Sequence, residues 1–165
     1  MNKIIIADAS PLIAFGGIDK LSVLFNLFGK VIVPEVVAAE CLADKIRPGA
    51  TAIAKAIDGK MIQIAHSTKE IVDANNELAR LDDGEAAAVA LAHSLNLPLI
   101  IDEKLGRDVA KKLGVKIIGT IGVLLLAKEK KIIGTIKPIL LQLKNGGYFL
   151  SSALIKDALK RAQEK

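Results

Sequence analysis

Ile4-Ile5-Ile6-Ala7-Asp8-Ala9-Ser10-Pro11-Leu12 is the stretch from which the fold is read. β-Branched isoleucines favour the pleated sheet, so the run predicts a strand over residues 3–7. It shows no apolar/polar alternation, which places the strand in a sheet covered on both faces. Asp8 follows at once. An apolar strand cannot cover a carboxylate cheaply unless a donor, water or a metal meets it. Ser10 then reads as a helix N-cap with Pro11 at the first helical position. The predicted unit is strand, acidic tip, helix, and strand tips are where open parallel sheets bind ligands.

Related units continue along the chain. The first helix is expected over 11–27, with a break indicated at Gly16-Gly17. Val31-Ile32-Val33 is a second strand, and Pro34 opens a helix to about Ala43. Arg47-Pro48-Gly49 is a turn before a helix that ends at Asp58-Gly59, and Met61 to Ala65 suggests a short strand. Helices are expected from about Thr68 to Leu81 and from Asp83 to Leu95. Leu99-Ile100-Ile101 is a strand ending at Asp102; Lys104 to Leu113 is a helix, and Val115 to Ile118 a last strand. The remainder reads as helical. Ile117-Ile118-Gly119-Thr120-Ile121 is echoed by Ile132-Ile133-Gly134-Thr135-Ile136, read as a Gly-Thr helix entry used twice with threonine as N-cap. Ser151 is expected to cap a final helix with Leu154, Ile155, Ala158 and Leu159 as its apolar stripe. Alternating short strands and helices predict an α/β fold with a mostly parallel sheet.

Composition narrows the classes. The chain has 165 residues, 52% of them hydrophobic, which suits a substantial core and excludes a disordered chain. No apolar run is long enough to span a bilayer, and Asp8 interrupts the N-terminal run too early for a signal peptide. With Cys41 the single cysteine, neither an internal disulfide nor a cysteine zinc site can form, and a cytoplasmic location is the simplest expectation. The formal charge of +5 permits nucleic-acid binding. Aromatics make up only 3%, and Phe15, Phe25 and Phe28 fit a core pattern, so contacts to nucleic acid should run mainly through phosphate.

Three further acids join Asp8. Glu40 lies on or beside the apolar face of its helix, one turn beyond Val36, where the plain alternative is a rim glutamate. Glu85 follows Asp82-Asp83-Gly84 at the start of an alanine-rich helix, where a capping box with Asp82 is the rival reading. Gly84 costs about 1 kcal/mol of helix propensity there, which suggests close approach of another group. Asp102 ends its strand as Asp8 ends the first; its alternative is a turn residue capping the next helix. Carboxylates without cysteine and with little histidine make a hard-oxygen site suited to Mg²⁺ or Mn²⁺. A pair of such ions can activate water and stabilise the leaving oxygen in phosphodiester hydrolysis. Ser10 and Glu103 are accessory candidates. His66 and His93 are poorer candidates: His93 could approach the Glu85 face two turns on, but a lone histidine is more often structural, and Cys41 has no obvious base beside it. Lys104, Arg107 and Lys111 share i, i+3 and i+4 spacing, which reads either as a solvated face or as a phosphate track beside the acids.

The ordered set resembles a PIN domain. The matching segments are Ile4 to Leu12, Val31-Ile32-Val33-Pro34-Glu35-Val36-Val37-Ala38-Ala39-Glu40, Leu81-Asp82-Asp83-Gly84-Glu85-Ala86 and Leu99-Ile100-Ile101-Asp102-Glu103, which cover most of residues 1–118. Gly119-Thr120-Ile121-Gly122-Val123-Leu124-Leu125 and the lysine-rich helix after it look like a prokaryotic PIN-like branch. The resemblance implies a three-layer α/β/α domain over residues 1–165, with a core to about residue 118 and a helical C-terminal extension over 119–165. It also implies a divalent-metal site made by Asp8, Glu40, Glu85 and Asp102, an RNA substrate, and a homodimer. VapC-type toxins of toxin–antitoxin pairs are the best-known relatives, so an antitoxin protein is an expected partner. Two departures stand out: Glu85 where many PIN toxins carry aspartate, and Glu103 where a second aspartate is common.

The expected function is therefore a Mg²⁺- or Mn²⁺-dependent endoribonuclease, with Asp8 and Asp102 as central ligands. The rival is a weakly active or inactive PIN-like module that binds RNA or protein. Other α/β classes fit worse. No Gly-x-Gly-x-x-Gly follows a strand and no Walker loop exists. Asp8-Ala9-Ser10 lacks the second aspartate of a haloacid-dehalogenase-like phosphatase, and the acidic pair and late lysine of a phospho-receiver are not evident.

Overall fold

The computed structural model describes residues 3–66 and 68–165. Within them five strands form one parallel sheet in the order β3-β2-β1-β4-β5. The strands are β1 (Ile4–Ala7), β2 (Lys30–Pro34), β3 (Ile62–Ala65), β4 (Leu99–Ile100) and β5 (Ile117–Ile118). The helices are α1 (Ala9–Gly17), α2 (Leu21–Phe28), α3 (Glu35–Leu42), α4 (Ala50–Asp58), α5 (Lys69–Asp73), α6 (Asp83–Leu95), α7 (Lys104–Lys112), α8 (Thr120–Glu129), α9 (Lys137–Asn145) and α10 (Ser152–Arg161).

The period-two geometry of a strand sends successive side chains to opposite faces. Ile5, Ala7, Val31, Val33 and Ile100 point to one layer, with Phe15, Leu24, Val37 and Ile53. Ile6, Ile32, Leu99 and Ile101 point to the other, where α6 and α7 supply Ala88, Val89, Val109 and Ala110. Both faces are dry, which is why the strands carry no polar alternation. The helices after β5 do not stand apart: Leu124, Ile136, Leu140, Leu143, Leu150 and Ala158 join the first layer. Phe15 and Phe28 are buried and Phe25 packs against them, as their pattern predicts.

Three local expectations are corrected. The helix expected over Thr68 to Leu81 divides into α5 and a 3-10 turn at Asn76–Arg80. Asn75 breaks it, because its side chain accepts from the Glu77 amide at 3.0 Å, a local bond that competes with the helix. Asp8, not Ser10, occupies the N-cap position of α1. The ladder ends with the Asp8 amide donating to the Ile100 carbonyl at 3.0 Å, so the helix starts two residues early. Pro11 still lies in the first turn, where no amide is needed. The threonines are not N-caps either: Gly119 holds that position for α8 and Ile136 for α9. Ser151 does cap α10, accepting from the Leu154 amide at 3.1 Å.

The final helices are tied down by Glu164. Its carboxylate accepts from the Ile136 amide at 2.9 Å, the Lys137 amide at 3.2 Å and Lys128 Nζ at 2.9 Å. Burial pushes its pKa up, but these donors outweigh burial and hold it below the usual carboxylate value.

Candidate active site

The strand order places the acids. The chain builds β1, β2 and β3 outward on one side, then returns to build β4 and β5 on the other. The reversal falls between β1 and β4, and the crevice at such a switch point is where open α/β sheets bind ligands. Asp8 follows β1 directly, and Asp102 stands two residues beyond β4. Ala7 pairs with Ile100, so the two carboxylates flank that crevice.

Asp8 is 6% exposed and makes no side-chain capping bond. Its pKa is raised to about 6, chiefly by burial; the Ala9 amide offsets part of this, and Asp82, Glu40 and Asp102 each push it higher. Glu85 rises to about 7 for the same leading reason, with Asp82, Asp8 and Glu103 adding repulsion and the Asp82 amide opposing it. The acids from β1, α3, α6 and the β4 tip therefore act on one another through space. Asp82, read in the sequence only as a cap, belongs to this field as well. It also caps α6, its Oδ1 accepting from the Glu85 amide at 2.8 Å.

Glu40 is exposed, on the outer part of α3. Gly84 explains its place: a Cβ there would meet Glu40 Oε2 at 3.1 Å. The glycine at the head of α6 thus lets the Glu40 carboxylate close on that helix. Cys41, beside it, is buried, and burial and the charges of Glu40 and Asp8 push its thiol up to about 12, which leaves it inert as a nucleophile.

Of the four acids picked from the sequence, Asp102 is the most heavily bonded. Its Oδ1 accepts from the Thr120 amide at 2.7 Å, and its Oδ2 from the Thr120 hydroxyl at 2.7 Å and the Tyr148 hydroxyl at 2.5 Å. Gly119 leaves room for this arrangement, since a Cβ there would sit 3.0 Å from Asp102 Oδ1 and 2.7 Å from Arg107 Nη1.

A groove of about 1130 Å³ opens over these residues. Ser10, Glu85, Asp102 and Glu103 line its acidic end, and Arg47, Arg107 and Arg161 line it elsewhere. Asp8 and Glu40 do not form its lining. Of the basic residues picked from sequence only Arg107 reaches the groove; Lys104 and Lys111 are exposed and lie outside its lining. Phe149, 87% exposed, stands at its edge. Among the described residues no three His, Cys, Asp or Glu side chains already lie at metal-holding separations.

A family model described as a PIN domain matches residues 4–164. The chain belongs to the PIN-domain family. No curated protein matches it. The matched span takes in Thr120 and Tyr148 as well as the acids. PIN domains are nuclease-type folds that act on nucleic acid and typically use divalent metals. Among the described residues no helix is long and apolar enough to cross a membrane.

Sequence reasoning missed Thr120, Tyr148, Arg47 and Arg161. Thr120 was hidden by its plausibility as a cap. Tyr148 carried a signal, being the single tyrosine of the chain and following Gly146-Gly147.

Proposed function

We propose that this PIN domain is a Mg²⁺- or Mn²⁺-dependent endoribonuclease. The observation that carries the reading is the pair Asp8 and Asp102 at the switch point, where burial first and the neighbouring carboxylates second lift the Asp8 and Glu85 pKa values. An all-oxygen, mutually repelling donor set suits a hard divalent cation, whose charge would offset the repulsion. Asp8 and Asp102 would hold it, with Glu40 and Glu85 completing the set directly or through water. When bound, such an ion supplies an activated water and a counter-charge for the leaving oxygen.

The chain's own residues do the rest. Arg47, Arg107 and Arg161 line the groove with positive charge that suits a phosphate backbone. Ser10 and Glu103 sit at its acidic end, within reach of a bound phosphate or water. Hydrolysis of labelled RNA tests the reading: cleavage by the wild type in Mg²⁺ or Mn²⁺ is expected, and Asp8→Asn should abolish it while the fold is kept. Undiminished cleavage by the variant would refute it.

One observation favours a second reading, an RNA- or protein-binding module with little turnover. The acidic side chains as they stand are not drawn into a tight cluster among the described residues. Wild-type protein that binds RNA but never cleaves it in either metal would establish that alternative. The toxin role, an antitoxin partner, and a homodimer are finer proposals drawn from the family resemblance. Native mass measurement tests the homodimer; growth arrest on expression of the wild type but not of Asp8→Asn tests the toxin role, and relief of that arrest by a co-expressed candidate protein tests the antitoxin.

A further inference from the structure

We propose that Tyr148 is a positioning residue for Asp102, so that the segment between α9 and α10 completes the acidic centre. The inference rests on the metal-centre reading above and deepens it.

A carboxylate offers about four lone-pair sites. Asp102 has three of them engaged: one on Oδ1 by the Thr120 amide, and two on Oδ2 by the Thr120 and Tyr148 hydroxyls. Oδ2 is thereby filled, and the remaining acceptor site is on Oδ1. Tyr148 thus does more than pack. It fills the second site of Oδ2 and so fixes which oxygen is free. Thr120 alone, which grips both oxygens and sets the plane of the group, leaves one site open on each, so either oxygen could take a cation. Outer groups that orient a ligand in this way typically govern about 10–100-fold in metal affinity or activity.

The backbone is built to deliver the phenol. Gly147 takes φ +95, a conformation costly for other residues, and turns the chain after α9. The Tyr148 amide donates to the Leu143 carbonyl at 3.0 Å. Leu143 and Leu150, on either side, are buried in the main core. Tyr148 is itself half-buried, and burial and the Asp102 charge push its pKa above the usual phenol value. The hydroxyl therefore remains a donor at neutral pH.

The chain has a single tyrosine and no tryptophan, so its intrinsic fluorescence reports Tyr148 directly. Mg²⁺ titrated into wild-type protein should change that emission along a saturating curve, and Asp102→Asn should flatten it. Mn²⁺ affinity read by calorimetry should fall about 10–100-fold in Tyr148→Phe with the melting temperature nearly kept. Excess Mn²⁺ should restore its cleavage of RNA. A Tyr148→Phe variant that binds Mn²⁺ as the wild type does, or that only melts earlier, would overturn the positioning role and leave the metal centre intact. A wild-type protein that binds neither ion would instead overturn the metal centre, and this role with it.

Discussion

Glu40 and Gly84 meet across two helices: the Glu40 Oε2 atom lies 3.1 Å from where a Cβ on Gly84 would stand. The contact reconciles a poor helix former with its position in the first turn of α6. Gly84→Ala should raise helix propensity by about 1 kcal/mol. The new methyl group would also push the Glu40 carboxylate outward by a few tenths of an ångström, while Asp82 Oδ1 and Val37 Cγ2, at 3.7 and 3.8 Å from the new carbon, would be ordinary contacts. The variant should melt at or above the wild-type temperature and cleave RNA more slowly. Thermal melts and single-turnover cleavage, measured on the same samples, check both halves.

Asp8 is ionised at a cost in the metal-free protein. Its pKa stands at about 6 against an ordinary 3.8, so the folded state binds more protons than the unfolded one between those values. Stability therefore falls as pH rises through that window, by on the order of 2–3 kcal/mol. Asp8→Asn should remove this loss and make the protein more stable than wild type at pH 7 in chelator. Added Mg²⁺ should raise the wild-type melting temperature and leave that of the variant nearly unchanged. Denaturation in chelator and in Mg²⁺ across pH 4–8 measures it.

Glu164 gives the opposite pH dependence. Its carboxylate is held below the ordinary 4.5, so the unfolded state binds more protons as pH falls. The clamp is complete above about pH 5 and is lost as pH drops through the folded pKa. Glu164→Ala should cost about 1.5–3 kcal/mol at pH 7, the scale of hydrogen bonds to a charged group. The difference from wild type should vanish in acid, as read by urea unfolding at pH 7 and pH 3.

The groove arginines should set affinity for RNA without setting the chemistry. Arg47→Ala and Arg161→Ala should each weaken binding of a single-stranded RNA. Each should also lower the slope of log K against log salt by about 0.7 if it neutralises one phosphate. Lys111→Ala, outside the groove lining, should change neither quantity. Fluorescence anisotropy over a salt series separates these outcomes.

Much of the fold was legible because the governing signals were local. Ile4 to Ala7 and Val31 to Val33 announce buried parallel strands, and Gly114 at φ +77 ends α7 where the sequence places the stop. Asp8 and Asp102 were legible for the same reason, as acids at the ends of apolar runs. The strand order was not legible, since nothing in Leu99-Ile100 states that it pairs with β1. Without that order the switch point cannot be placed. Thr120 and Tyr148 were invisible because their partner, Asp102, lies 18 and 46 residues away in sequence. Arg47 and Arg161 come from a loop and a terminal helix that only tertiary packing brings to one groove. Ser10 misled because Asp8 and Ser10, two residues apart, are both of cap-forming type, and only the sheet pairing of the Asp8 amide decides between them.

The shared acidic centre is tested most directly by anomalous diffraction from crystals soaked in Mn²⁺. A peak bounded by Asp8 and Asp102, with Glu40 or Glu85 turned toward it and Tyr148 still on Asp102, is the expected result. Well-ordered acids with no peak between them, or manganese bound only elsewhere on the surface, would contradict it.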